Sequence, residues 1–135
     1  ATEGGLMQTA RILIIEDDHG SRNALAEILR DEGFEVRAVA SGEEGLHCAE
    51  RFQPSFAIVD VHLPDSDGIE LVRKLRESCP ECACVVASGS ATFTNTDGTP
   101  MIVDFSAEAR EAGAIEYLCK PIDVDKLLGT LYRQP

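Results

Sequence analysis

No stretch of the 135-residue chain approaches the roughly 20 apolar residues that a bilayer crossing requires, so nothing in it reads as a membrane span. There is no block of Lys or Arg either. With 24 acidic residues against 12 basic ones and a formal charge of −12, the chain repels polyanions, which argues against direct nucleic-acid binding. The residues before Thr9 carry neither a charged n-region nor an apolar h-region and do not read as a signal peptide. Met7 is the expected natural start, with residues 1–6 an appended remnant. The length leaves no room for a second folded domain, and no internal repeat is present. The cysteines are odd in number, and Cys79, Cys82 and Cys84 crowd together, which is no disulfide framework and points to a reducing, cytoplasmic compartment.

What the chain does contain is an alternation of apolar runs and helical patterns, the mark of βαβ units and a parallel sheet. Strands are expected at Arg11–Ile15, Glu35–Val39, Phe56–Asp60, 83–88 and 114–118. Ala24, Leu25, Ile28 and Leu29 recur at helical spacing before a Gly33 stop, and Ser41 with Glu44 reads as a capping box opening a second helix that must end before Pro54. Ile69, Val72 and Leu75 share one face of a third helix that begins near Gly68. Val124, Leu127, Leu128 and Leu131 do the same for a last helix. Residues 90–100 are rich in turn formers and predict a long surface loop. A fourth helix is expected over 101–112, with Ile102, Phe105 and Ala109 inward and Gly113 as its stop.

The polar residues that end these runs are the chemical candidates. Asp60 closes the third run, Glu16 and Asp17 follow the first, and Lys120 follows the fifth. If the runs are parallel strands of one open sheet, their carboxyl ends share the edge where such sheets place ligands. Taken singly, Asp60 could be a turn residue, and Glu16 and Asp17 could merely open a helix. Together with Lys120 they read as a cation site beside a nucleophile. Asp18, His19 and Ser21 are better read as helix-cap residues than as ligands. The three crowded cysteines lack a second Cys-x-x-Cys or a histidine to complete a tetrahedral set and read as small buried hydrophobes. His47 and His62 are not spaced as ligands of one site.

Over residues 10–133 the chain resembles the receiver domain of two-component response regulators, because separated motifs occur in order: Glu16-Asp17; Asp60 with Pro64 and Asp67-Gly68; Ser88-Gly89; Tyr117; and Lys120-Pro121. The resemblance implies a flavodoxin-like, doubly wound α/β/α fold with a five-stranded parallel sheet of order 2-1-3-4-5, residues 1–9 being a tail and 10–135 the domain. It implies that Asp60 accepts a phosphoryl group from a sensor histidine kinase or phosphotransfer protein. Mg²⁺, with Mn²⁺ as a substitute, would be held by Asp17, Asp60 and the His62 backbone carbonyl, with Glu16 acting through water. Lys120 and Ser88 would contact the phosphoryl oxygens, Ser88 and Tyr117 would form a switch pair, and His62 and Ser90 would tune dephosphorylation. The face from the fourth to the fifth helix would serve output or homodimer contacts.

Against the usual pattern of that family, the span from Ser88 to Gly113 is longer by about ten residues, a length that suggests function or disorder. A magnesium-dependent phosphohydrolase would need a further acid near Asp60 that Asp60-Val61-His62 does not offer. A flavin or nucleotide binder would hold phosphate in the loop after the first strand, where Glu16-Asp17-Asp18 repel it. A pseudo-receiver that keeps the fold without phosphorylation is opposed by the complete set of motifs.

Overall fold

The computed structural model describes residues 10–89 and 91–133. In chain order the elements are β1 (Arg11–Ile15), α1 (His19–Asp31), β2 (Glu35–Val39), α2 (Gly42–Phe52), β3 (Phe56–Asp60), α3 (Gly68–Ser78), β4 (Ala83–Gly89), β5 (Ala91–Thr94), β6 (Pro100–Val103), α4 (Ser106–Ala112), β7 (Glu116–Lys120) and α5 (Val124–Tyr132). The main sheet is parallel in the order β2-β1-β3-β4-β7, which is the expected 2-1-3-4-5 once the β5–β6 hairpin is set aside.

Because side chains alternate across a strand, each strand feeds two cores. Leu13, Ile15, Ala57, Val59, Cys84 and Val86 face one layer, where they meet Ala49 of α2, Val72 and Leu75 of α3, and Ala109 of α4. Ile12, Ile14, Phe56, Ile58, Val85 and Leu118 face the other, against Leu25 and Leu29 of α1 and Leu127 and Leu131 of α5. The same parity decides which side a strand-end residue points to.

Short polar side chains start the helices. Asp18, Ser41, Asp67 and Asp123 accept hydrogen bonds from the amides of Ser21, Glu44, Ile69 and Lys126, satisfying donors that the first helical turn leaves free. Of the three residues expected to cap α1, only Asp18 does so; Ser21 supplies the amide it binds, and the ring of His19 contacts Arg22 and Asn23.

Two expectations fail between β4 and β7. Residues 91–103 form an antiparallel hairpin in place of a loop: Ala91 pairs with Val103 and Thr94 with Pro100 around a turn in which Asn95 and Thr99 bond and Gly98 takes a φ of 89°. Thr, Ile and Val suit a strand, and the turn formers are confined to the tip. The fourth helix is correspondingly short and begins at Ser106, whose amide is held by the Asp104 carboxylate at 2.8 Å, so residues 101–103 are strand and Ala109 alone of the expected inward set is helical and buried. The last strand also starts two residues later than predicted. After Gly113 turns the chain with a φ of 109°, the Ala114 amide returns to Ala109 and the Ile115 amide to Cys84, so the ladder opens only at Glu116 and Lys120 ends the strand instead of following it.

Candidate functional site

Glu16, Asp60 and Lys120 have the strand parity of Ile14, Ile58 and Leu118, and so emerge on the α1 side at the carboxyl edge of the sheet. Asp60 is buried, with Oδ1 accepting the His62 amide at 3.1 Å and Oδ2 paired with Lys120 Nζ at 3.2 Å. Lys120 also donates to Glu16 Oε1 in a short, direct contact. The other Glu16 oxygen accepts the Asp18 amide at 3.2 Å, so the carboxylate is fixed at both ends. Burial alone would pull the Lys120 ammonium down, but the carboxylates of Glu16 and Asp60 outweigh it and hold the group above its ordinary value.

Carboxylate oxygens of Glu16, Asp17 and Asp60 lie within 4.8 Å of one another, Asp17 being the exposed member. Three carboxylates against one ammonium leave two negative charges, which a hard divalent cation would neutralise. The donor set is all oxygen and open on the Asp17 side, which fits such an ion and suits neither a soft metal nor a closed tetrahedral site. The acidic site implies a divalent metal.

The loop after Asp60 is clamped. The Gly68 amide donates to the Val61 carbonyl at 2.8 Å, and a Cβ on Gly68 would lie 2.0 Å from the Asp60 carbonyl oxygen, so only glycine lets α3 start this close to the end of β3. The imidazole of His62 is exposed and packs edge-on against Phe105, with ring centroids 5.7 Å apart. Ser88 and Tyr117 lie on the opposite face of the sheet, with the parity of Val86. The buried Ser88 hydroxyl donates to the Gly89 carbonyl at 3.0 Å, and the half-buried Tyr117 phenol accepts the Phe105 amide at 3.2 Å, tying β7 to the start of α4. Ser90 lies outside the described residues.

Two supports were missed by sequence reasoning. The Asp65 carboxylate, in the loop after Asp60, binds the Gly42 and Glu43 amides at 2.9 and 3.0 Å and so caps α2 from a distance; those amides hold its pKa below the ordinary value. The Arg22 guanidinium donates to the Glu16 and Asp17 carbonyls at 3.0 and 3.3 Å, bracing the acidic pair from α1. Only the basic residue one turn into α1 hinted at the second. Beside the acids, Ala24, Leu25 and Ile28 of α1 with Pro121, Ile122 and Val124 line an apolar cleft of about 210 Å³ that reaches Asp60 and Lys120.

A family model described as the response regulator receiver domain matches residues 12–132. The photosynthetic apparatus regulatory protein RegA of Cereibacter sphaeroides is 30% identical over 120 residues, covering 89% of this chain and 60% of RegA. A CheY-like receiver domain protein from Methanospirillum hungatei superimposes with a TM-score of 0.78 at 30% identity, covering 93% of this chain and 92% of that one. A Burkholderia pseudomallei response regulator, solved with a phosphorylated aspartic acid, calcium ion and citrate, gives a TM-score of 0.75 at 27% identity, covering 90% of this chain and 66% of that one. Among the described residues no helix is long and apolar enough to cross a membrane. With its sheet order, its acidic edge and a family match over nearly its whole length, the chain belongs to the response regulator receiver family, phosphoacceptor domains that work with histidine kinases or phosphotransferases and are not enzymes in the ordinary sense.

Proposed function

We propose that Asp60 takes a phosphoryl group from a phosphohistidine of a sensor histidine kinase or phosphotransfer protein. The observation that carries this is the convergence of Glu16, Asp17 and Asp60 within 4.8 Å, with the Asp60 carboxylate already paired to Lys120. A carboxylate oxygen attacks phosphorus, a P–O bond forms and the P–N bond to imidazole breaks. The bonding pair leaves on the nitrogen. Catalysis is then mostly positioning and charge stabilisation, since the transition state spreads charge over equatorial oxygens.

Asp17 and Asp60, with the His62 backbone carbonyl and Glu16 through water, would hold Mg²⁺ or Mn²⁺, which when bound screens the incoming phosphoryl oxygens from these acids. Lys120 passes from Asp60 to a phosphoryl oxygen as the bond forms. Ser88 exchanges its Gly89 carbonyl for another phosphoryl oxygen. That rotation is coupled to Tyr117 on the same sheet face, and because the phenol holds the Phe105 amide, its movement would be transmitted to α4. Output or self-association through α4, β7 and α5 follows from this coupling.

Residues 10–135 act as one receiver in the cytoplasm, with 1–9 as a tail, and the phosphodonor docks on the cleft of Ala24, Ile28 and Ile122, which adjoins the nucleophile and offers apolar surface beside it. Nucleic acid is not a direct partner at a charge of −12.

The test is intact-mass spectrometry after incubation with acetyl phosphate, with and without Mg²⁺, on wild type and Asp60→Asn. One magnesium-dependent phosphoryl group, absent from the variant, is expected. Equal labelling of the variant, or none in folded wild type with magnesium bound, would overturn the assignment.

A further inference from the structure

At the opposite edge of the sheet, where α3 gives way to β4, the chain reads Cys79-Pro80-Glu81-Cys82-Ala83-Cys84. The Cys82 amide donates to the Cys79 carbonyl at 3.0 Å, which closes a four-residue turn. Such a turn brings its end Cα atoms within about 7 Å, inside or close to the separation a disulfide spans. We propose that Cys79 and Cys82 form a redox dithiol that peroxide converts, reversibly, to a disulfide.

The surroundings decide which sulfur reacts first. Cys82 and Cys84 are 0% exposed and Cys79 is 6% exposed. Cys79 lines an open cavity of about 730 Å³ shared with Pro54, Ser55, Glu81 and Ala83, so a molecule the size of peroxide meets this thiol before the others. Its Sγ sits 3.9 Å from the Pro54 carbonyl oxygen, which points the sulfur towards that wall. Cys82 lies between its neighbours, its thiol interacting with both Cys84 and Cys79, so its position makes it the sulfur that meets an oxidised Cys79; the contact with Cys84 together with burial keeps it protonated at rest, which slows that second step.

In the first step the Cys79 sulfur attacks a peroxide oxygen. The O–O bond breaks, and the departing hydroxide joins the thiol proton as water, leaving a sulfenic acid. In the second step the Cys82 sulfur attacks that sulfenic sulfur. The S–S bond forms, the S–O bond breaks, and hydroxide leaves with the Cys82 proton as a second water. The thiols give up two electrons and the peroxide accepts them. In thioredoxin-type sites the thiol gains from a helix N-terminus. Here Cys79 is the C-cap of α3 and lacks that setting, and Cys82 is held protonated, so the oxidation is expected to need excess peroxide and minutes, not seconds.

The test uses the whole reduced chain. It is exposed to hydrogen peroxide while folded, blocked with N-ethylmaleimide under denaturing conditions, and cleaved after glutamate. Cleavage after Glu77 and Glu81 places Cys79 in peptide 78–81 and Cys82 and Cys84 in the next, so only a disulfide can join them. A joined pair with two fewer blocked thiols, separated again by dithiothreitol and still formed in Cys84→Ser and Cys119→Ser, is the expected result. All five cysteines still blocked, or oxidation confined to the exposed Cys119, would overturn the proposal. So would loss of the join in a folded Cys84→Ser chain, which would assign the bond to Cys79 and Cys84. The wild-type map decides the matter even if Cys79→Ser does not fold.

Discussion

The two edges of the main sheet are built by opposite rules. At the carboxyl edge, Glu16, Asp60 and Ser88 are buried polar residues, and like charges are held together with Lys120 paired to Glu16 and Asp60. At the amino edge the polar backbone is closed on itself: the Ser55 amide bonds Arg11, the Ala83 amide bonds Ser55, and the Ile115 amide bonds Cys84, at 2.8 to 2.9 Å. One edge keeps unfavourable charge available for chemistry, and the other, with the apolar layers behind it, supplies the stability that tolerates it.

Lys120→Ala attacks the first edge directly. It should reduce acetyl-phosphate labelling about 10²- to 10³-fold, the scale of losing one preorganised donor, and should make Mg²⁺ raise the melting temperature more than in wild type. Because the folded Lys120 pKa is raised, its ion pairs are fully formed below the ordinary lysine value of 10.5 and fade only as pH climbs past the higher folded value. A labelling rate that fell for this reason between pH 7 and 9 would contradict the ion pairs described. Leu75→Ala attacks the support instead. Its side chain is fully buried under the sheet, and denaturant titration should show a loss of about 3 kcal/mol while each folded molecule labels normally.

Gly68→Ala should blur the distinction, since the added methyl collides with the Asp60 backbone. A loss of about 2 kcal/mol is expected together with slower labelling, and a fast, stable variant would show that the close approach is not required. The smallest effect belongs to Asp65→Asn. With its pKa lowered by the Gly42 and Glu43 amides, Asp65 contributes stability above the ordinary value of 3.8 that disappears as pH falls through the lower folded value. Melting temperatures of variant and wild type should therefore differ slightly at pH 6 and converge as the pH is lowered beyond 3.8.

Much of this was legible before the fold was known. Asp60, Glu16 and Asp17 stand at the ends of apolar runs, and parallel strands of one open sheet bring such carboxyl ends to a common edge. The hairpin was not legible, because Ala91–Thr94 and Pro100–Val103 are too short to outweigh the turn formers between them, and what defines each strand is its pairing with the other. Asp65 was invisible as a cap since its amides lie 23 and 22 residues away, a pairing that only the folded chain defines. Ile28 was read as one of an apolar set at helical spacing, and it is 37% exposed beside the acids: such spacing identifies a face but not how far the neighbouring layer extends over it.

The pairing of Ala91 with Val103 means that the hairpin leaves the domain and returns to it at nearly one point. Whatever is spliced between Asn95 and Thr99 therefore changes neither the distance that β4 and α4 must bridge nor the register of the sheet. That turn is a ready port for a fluorophore, an epitope or a whole inserted domain, through which the state of the acidic edge could be read without touching it.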